Sequence, residues 1–78
     1  METGLREKQE HWKLLAEIYL KNDKRVLIKD VYDNWFFSDI LFVGEDTIEV
    51  SCYAPEQRVG KHVLYWAMIK YFEEVMEK

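Results

Sequence analysis

The alternation of apolar and polar positions changes its period once along the chain, near Lys24. Before that point Trp12, Leu15, Ala16 and Tyr19 recur at i, i+3, i+4 and i+7. Arg6, Glu7, Lys8, Glu10, Lys13 and Glu17 fill most of the positions between. This is the spacing of one face of an α-helix, so a helix with a single buried face is predicted over 5–21. Asn22-Asp23 supplies its stop, and Lys21 lies where a cation complements the negative end of the helix dipole.

Beyond Lys24 the pattern is that of short strands. Arg25–Lys29 is rich in β-forming residues, and Tyr32-Asp33-Asn34 reads as a turn because Asp and Asn tolerate turn conformations. Trp35–Val43 is strongly β-forming and apolar on both faces. After the Gly44-Glu45-Asp46 turn, Thr47–Tyr53 alternates, with Ile48, Val50 and Cys52 on one side and Thr47, Glu49 and Ser51 on the other. Ala54–Gly60, which holds the only proline, is the longest loop. The segment 63–76 reads either as one long helix on apolar content or as two strands, His62–Ala67 and Lys70–Val75, joined at Met68-Ile69. Its Val, Tyr, Trp, Ile and Phe residues favour the strands. Five strands can also close on themselves where three leave a face uncovered. The expected architecture is mainly β: an N-terminal helix, then a five-stranded, strongly bent antiparallel barrel over 25–76, in one domain over 1–78.

Composition narrows what such a domain can do. A chain of 78 residues buries only about 60–65% of its unfolded surface. Domains this small lean on disulfides, metal, self-association or an efficient core. The single Cys52 forms no intramolecular disulfide, and no Cys/His set has zinc-ligand spacing. With 49% of residues hydrophobic and 15% aromatic, some large side chains are expected to face a partner. The net charge of −4 and pI near 5.1 argue against a general electrostatic nucleic-acid binder. Charges interrupt the first apolar stretch, and no run reaches the length of a membrane span, so a cytoplasmic location is the expectation.

The order of these segments resembles the Sm-like fold, the small bent barrel of Sm, Lsm and bacterial Hfq proteins. Three stretches within residues 8–76 carry the resemblance. A leading helix runs into Val26-Leu27-Ile28-Lys29 and a turn at Asp33-Asn34. Phe36–Val43 is similar to the family's second strand, with Ser38 at a bend where the family usually has glycine, and Gly44–Ile48 is similar to the turn that follows. Leu64–Glu74 resembles the closing strand pair. The resemblance implies a ring-forming homo-oligomer associated with RNA. The family's RNA-reading residues do not carry over. The loop Gly44-Glu45-Asp46-Thr47 lacks the family's Asp-x-x-x-Asn, the nearest basic-glycine element is Arg58-Val59-Gly60-Lys61 at a different spacing, and the Hfq Lys-His pair falls on Tyr65-Trp66 or Trp66-Ala67.

No residue set predicts catalysis, a cofactor, a metal or a small-molecule substrate. Cys52 falls on the apolar side of its strand, where a thiolate is disfavoured. His11 and His62 have no nucleophile paired with them by sequence. Glu45-Asp46 and Glu73-Glu74 are adjacent carboxylates, which point to opposite sides of a strand. The glycines at 4, 44 and 60 form no phosphate loop.

Two surface features remain. The cations Lys21, Lys24, Arg25 and Lys29, with Arg58, Lys61 and His62, either form one RNA-binding edge or lie scattered in solvent. The aromatic residues Trp35, Phe36, Phe37, Phe42, Tyr53, Tyr65, Trp66, Tyr71 and Phe72 either stack nucleobases or, as favoured here, bury one face in the barrel and the other under the helix or against a partner subunit, with Trp35, Phe37, Tyr53, Tyr65 and Trp66 as the candidate interface. The expected function is a non-catalytic Sm-like protein that self-associates and binds or scaffolds RNA. The alternative is an SH3-like protein-interaction module with no RNA role.

Overall fold

The structure is a computed structural model that describes residues 2–54 and 59–75. Helix α1 spans Glu2–Lys21 and is followed by strands β1 (Arg25–Asp30), β2 (Trp35–Val43), β3 (Thr47–Ala54), β4 (Gly60–Tyr65) and β5 (Ile69–Glu74). A 3-10 turn, Trp66–Met68, joins β4 to β5. All strand pairs are antiparallel, in the order β4-β3-β2-β1-β5. The mainly β, helix-first architecture is therefore the one predicted. Among the described residues no hydrogen bonds between its ends close the sheet, so the expected barrel is open, with β4 and β5 as its edges.

The helix ends where Asn22-Asp23 predicts. The amide of Lys24 donates to Tyr19 O at 2.8 Å, and Asp23 takes a positive φ of 56°. At the β1–β2 turn the Asp30 carboxylate accepts from the amides of Tyr32 and Asn34, both at 2.9 Å. Asp33 sits there at φ 69°. The β2–β3 turn is tight at Gly44, whose amide donates to Thr47 O at 2.8 Å. A Cβ at position 44 would lie 3.1 Å from Thr47 O.

The segment 63–76 is not one helix. Its strands begin and end earlier than the predicted 62–67 and 70–75, and the 3-10 turn lies between them. Tyr65 (φ −85°, ψ 133°) and Ile69 (φ −98°, ψ 127°) are both extended on either side of it. The turn is held by Trp66 N donating to Asp46 O (2.9 Å) and Val31 N donating to Met68 O (2.8 Å). The partners Asp46 and Val31 lie in the β2–β3 and β1–β2 connections, far off in the chain, and the Val, Tyr, Ile and Phe residues on each side of the turn favour strands.

Alternate residues of β1–β3 point inward, so Val26, Ile28, Phe36, Ile40, Ile48, Val50 and Cys52 form the core with Ile69 and Phe72. The predicted inward placement of Cys52 holds. β2 shifts register against β3 between Phe37 and Ser38 and again between Ile40 and Phe42. Such bulges bend a strand, and the first of them lies beside Ser38. Helix α1 lays Trp12, Leu15, Ala16 and Tyr19 on this core. The rings of Trp12, Tyr19 and Trp66 surround Phe72, with centroids 6.2, 6.0 and 5.7 Å away. Gln9 Nε2 donates to Ile69 O at 3.0 Å and ties the helix to β5.

Candidate interaction surfaces

The side of the sheet that faces away from α1 carries large aromatic side chains in cross-strand rows. One row runs Tyr71–Lys29–Trp35 across β5, β1 and β2. There Trp35 meets Tyr71 edge-on, with centroids 5.8 Å apart, and the Lys29 ammonium lies 4.8 Å above the Trp35 ring. Another row runs Arg25–Asp39–Ser51–Lys61 across β1 to β4. Beside it the Arg25 guanidinium stacks 4.5 Å over Tyr53 and 5.5 Å over Phe37, whose rings lie 5.8 Å apart. Asp39 completes the group, since it accepts a hydrogen bond from the Tyr53 hydroxyl and pairs with Arg25 Nε at 3.5 Å. That hydrogen bond is the main reason the Tyr53 phenol titrates above its ordinary value. Trp35, Tyr53 and Tyr71 each remain about 40% exposed.

Two groups thus form on this side, Tyr71–Trp35–Lys29 and Phe37–Tyr53–Arg25, and Trp35 and Phe37, two residues apart on β2, set them side by side as one strip. Trp35, Phe37 and Tyr53 were predicted to lie at a surface, and the structure brings them together. Asp39 was missed, and Tyr71 was left out of the candidate interface. The alternation of β5 gives the signal for Tyr71, which needs Phe72 inward and its neighbour outward. Nothing in the order of residues signals the Asp39–Tyr53 contact, because it depends on the β2–β3 register. Tyr65 is 61% exposed at the end of β4, away from the strip. Trp66 corrects the prediction. It is 3% exposed, packed on Phe72, with its indole N–H donating to Gly44 O at 3.2 Å. The 3-10 turn points it inward, so it cannot serve as a partner contact.

No protein-family model matches the chain, and no curated protein does.

The predicted cations do not converge on one edge. Lys24 pairs with Glu74 (3.8 Å), Lys29 with Asp33 (3.5 Å) and Lys61 with Glu49 (3.7 Å). Lys21 lies exposed at the end of α1. His62 points to the inner side of β4 and meets the Phe36 ring edge-on at 5.6 Å, so it is not a surface cation. Arg58 lies outside the described residues. The two ends of β1, Arg25 and Lys29, are about 13 Å apart at strand rise. Each sits on an aromatic ring with a carboxylate nearby. The arrangement is a set of local neutralised pairs, because every strand cation has an acid within cross-strand or turn reach.

A cleft of about 510 Å³ opens where α1 crosses the two short turns, lined by Arg6, Gln9, Lys13, Glu45, Asp46 and Trp66. Lys13 donates to Glu45 O at 3.0 Å and lies 3.4 Å from the Glu10 carboxylate. This is where the β2–β3 turn meets the β4–β5 connection, and it presents Glu45 and Asp46 rather than the asparagine and arginine that an RNA-reading turn carries in the resembled family. Among the described residues no three His, Cys, Asp or Glu side chains are grouped to hold a metal ion, and no helix is long and apolar enough to cross a membrane.

Proposed function

We propose that this chain is a non-catalytic, Sm-like small-barrel subunit that assembles head to tail through its two sheet edges and scaffolds RNA on its outer aromatic strip. The observation that carries this reading is the pair of edges. Among the described residues neither β4 nor β5 has a second strand beside it, and each is six residues long. Exposed edges of this length are templates for pairing with another chain. The two differ in charge: β4 carries Lys61 with no acid, whereas β5 carries Glu73 and Glu74 against Lys70. Unlike edges favour β4 of one copy beside β5 of the next, a heterologous contact that closes into a ring when the rotation allows. Like-edge pairing would set Glu73 and Glu74 against their own copies.

The RNA part of the proposal rests on Trp35, Phe37, Tyr53 and Tyr71, with Arg25 and Lys29 on the same strip. Stacking on aromatic and guanidinium planes tolerates an acidic protein better than phosphate neutralisation does. The protein-interaction alternative is supported by the matched carboxylates Asp39 and Asp33, which compete with a phosphate for the same cations.

Mass measurement by light scattering at micromolar concentration tests the assembly, with three or more chains expected. A monomer or a simple dimer overturns it. Lys61→Glu should lower the assembled mass by setting an acid against Glu73 and Glu74 of the neighbour. Titration of uridine- and adenine-rich oligonucleotides tests the RNA part. Binding that Trp35→Ala abolishes supports the strip, and no binding at low salt leaves the protein-interaction module.

A further inference from the structure

The outward side of α1 holds a second surface that the sheet edges do not involve. Glu7, His11, Leu14, Ile18 and Lys21 are all exposed and follow one another at intervals of 4, 3, 4 and 3 residues. That is the spacing of a coiled-coil seam. The stripe is apolar only at its centre, where Leu14 is 67% and Ile18 53% exposed. Its first position is acidic and its last is basic. Beside its C-terminal half lies a groove of about 380 Å³ lined by Glu17, Leu20, Lys21, Phe42 and Val43, with Phe42 54% exposed.

We infer that this stripe is the seam of a twofold, antiparallel pairing with a second copy of this chain. Three features select that occupant. Antiparallel pairing about a point midway between Leu14 and Ile18 sets Leu14 beside Ile18 of the partner copy twice over. It also places each acidic N-terminal end, Glu7 with Glu10 next to it, at the Lys21–Lys24 end of the other helix. A parallel pairing would set Glu7 against Glu7 and Lys21 against Lys21. Finally, the antiparallel arrangement opposes the helix dipoles, each positive N-terminus lying beside a negative C-terminus. The stripe is thus complementary to itself in one orientation. The inference does not rest on the edge-to-edge reading. If both hold, cyclic symmetry places every α1 on one side of the ring, and the product is two rings stacked helix side to helix side.

Sedimentation or light scattering on the full chain separates the two contacts. Leu14→Glu is fully compatible with the fold, since the side chain is exposed, and should halve the assembled mass while leaving any edge-paired ring intact. Lys61→Glu should leave a dimer of about 19 kDa, twice the 9.5 kDa chain. Either Glu7→Lys or Lys21→Glu should weaken the seam about 2- to 5-fold, and combining them should restore it. An unchanged mass for Leu14→Glu overturns the seam, as does an odd number of chains in the wild-type assembly. A double charge swap no tighter than its single variants overturns the antiparallel orientation. A wild-type dimer that Leu14→Glu splits supports the seam while removing the edge reading.

Discussion

The two sides of the sheet use the same kinds of residue to different ends. On the inner side Val26, Ile28, Ile48, Val50 and Ile69 have no exposed surface, and aromatic rings converge on Phe72. On the outer side Trp35, Tyr53 and Tyr71 are about 40% exposed and held by cations and one carboxylate. Inner aromatics gain by leaving water entirely, about 25 cal/mol for each Å² of apolar area. Outer ones bury more than half of their surface and keep about 40% of it for a partner. The aromatic surplus of the chain is thus two populations, one that holds the fold and one that remains available.

Substitutions sharpen this contrast. The largest effect is expected at Ile28, where truncation to Ala should cost about 2–5 kcal/mol in urea denaturation. That is a large share of the total for a chain this size, about 4–12 kcal/mol. A cost under about 1 kcal/mol would remove the inner side as the main source of stability. Ser38→Ala should act in the opposite direction. The Ser38 Oγ is fully buried with no hydrogen-bond partner among the described residues, and removing such a hydroxyl should raise stability by about 1 kcal/mol. A drop in the urea midpoint would show that the hydroxyl is satisfied after all. Trp35→Ala on the outer side should cost no more than about 1.5 kcal/mol, the worth of its edge contact and its cation. A cost comparable to that of Ile28→Ala would mean the strip is part of the core.

The smallest effects are those of pH. Tyr53 donates to Asp39, and this holds its phenol above the ordinary 10.0. Because the folded value is the higher one, the contribution is fully present below pH 10.0 and is lost as pH rises through the folded value. Absorbance titration should show one tyrosine returning toward the ordinary value in Asp39→Asn. Asp33 behaves in the opposite sense. A hydrogen bond from Lys70, then the charges of Lys70 and Lys29, hold its carboxyl below the ordinary 3.8. The folded value is the lower one, so its contribution is present above pH 3.8 and is lost as pH falls through the folded value. NMR titration of Lys70→Met should bring the Asp33 midpoint back up.

Much of the architecture was legible because period and turn chemistry are local properties. The helix face at Trp12, Leu15, Ala16 and Tyr19 follows from spacing alone, as do the stops at Asn22-Asp23, Asp33-Asn34 and Gly44. The strand 35–43 needed no partner to be recognised. The closing pair 60–65 and 69–74 was ambiguous with a helix because its local propensity is mixed. Backbone hydrogen bonds from Trp66 to Asp46 and from Val31 to Met68, between residues far apart in the chain, settle it.

Which large side chains face outward was another matter. Alternation divides a strand into two sides but does not say which residue follows a bulge or a 3-10 turn. Trp66 was therefore expected at a surface and lies in the core, while Tyr71 was left out of the candidate interface and lies on the strip. The cations were grouped as one edge, yet the fold sets Lys24 beside Glu74, Arg25 beside Asp39, Lys29 beside Asp33 and Lys61 beside Glu49. The sequence by itself determined that a helix with one apolar face precedes five β-forming segments, because side-chain period is written residue by residue. Only the tertiary structure decided that the sheet stays open at β4 and β5 and that Arg25, Asp39 and Tyr53 meet. Strand pairing brings together residues far apart in the chain, and no local pattern encodes their register.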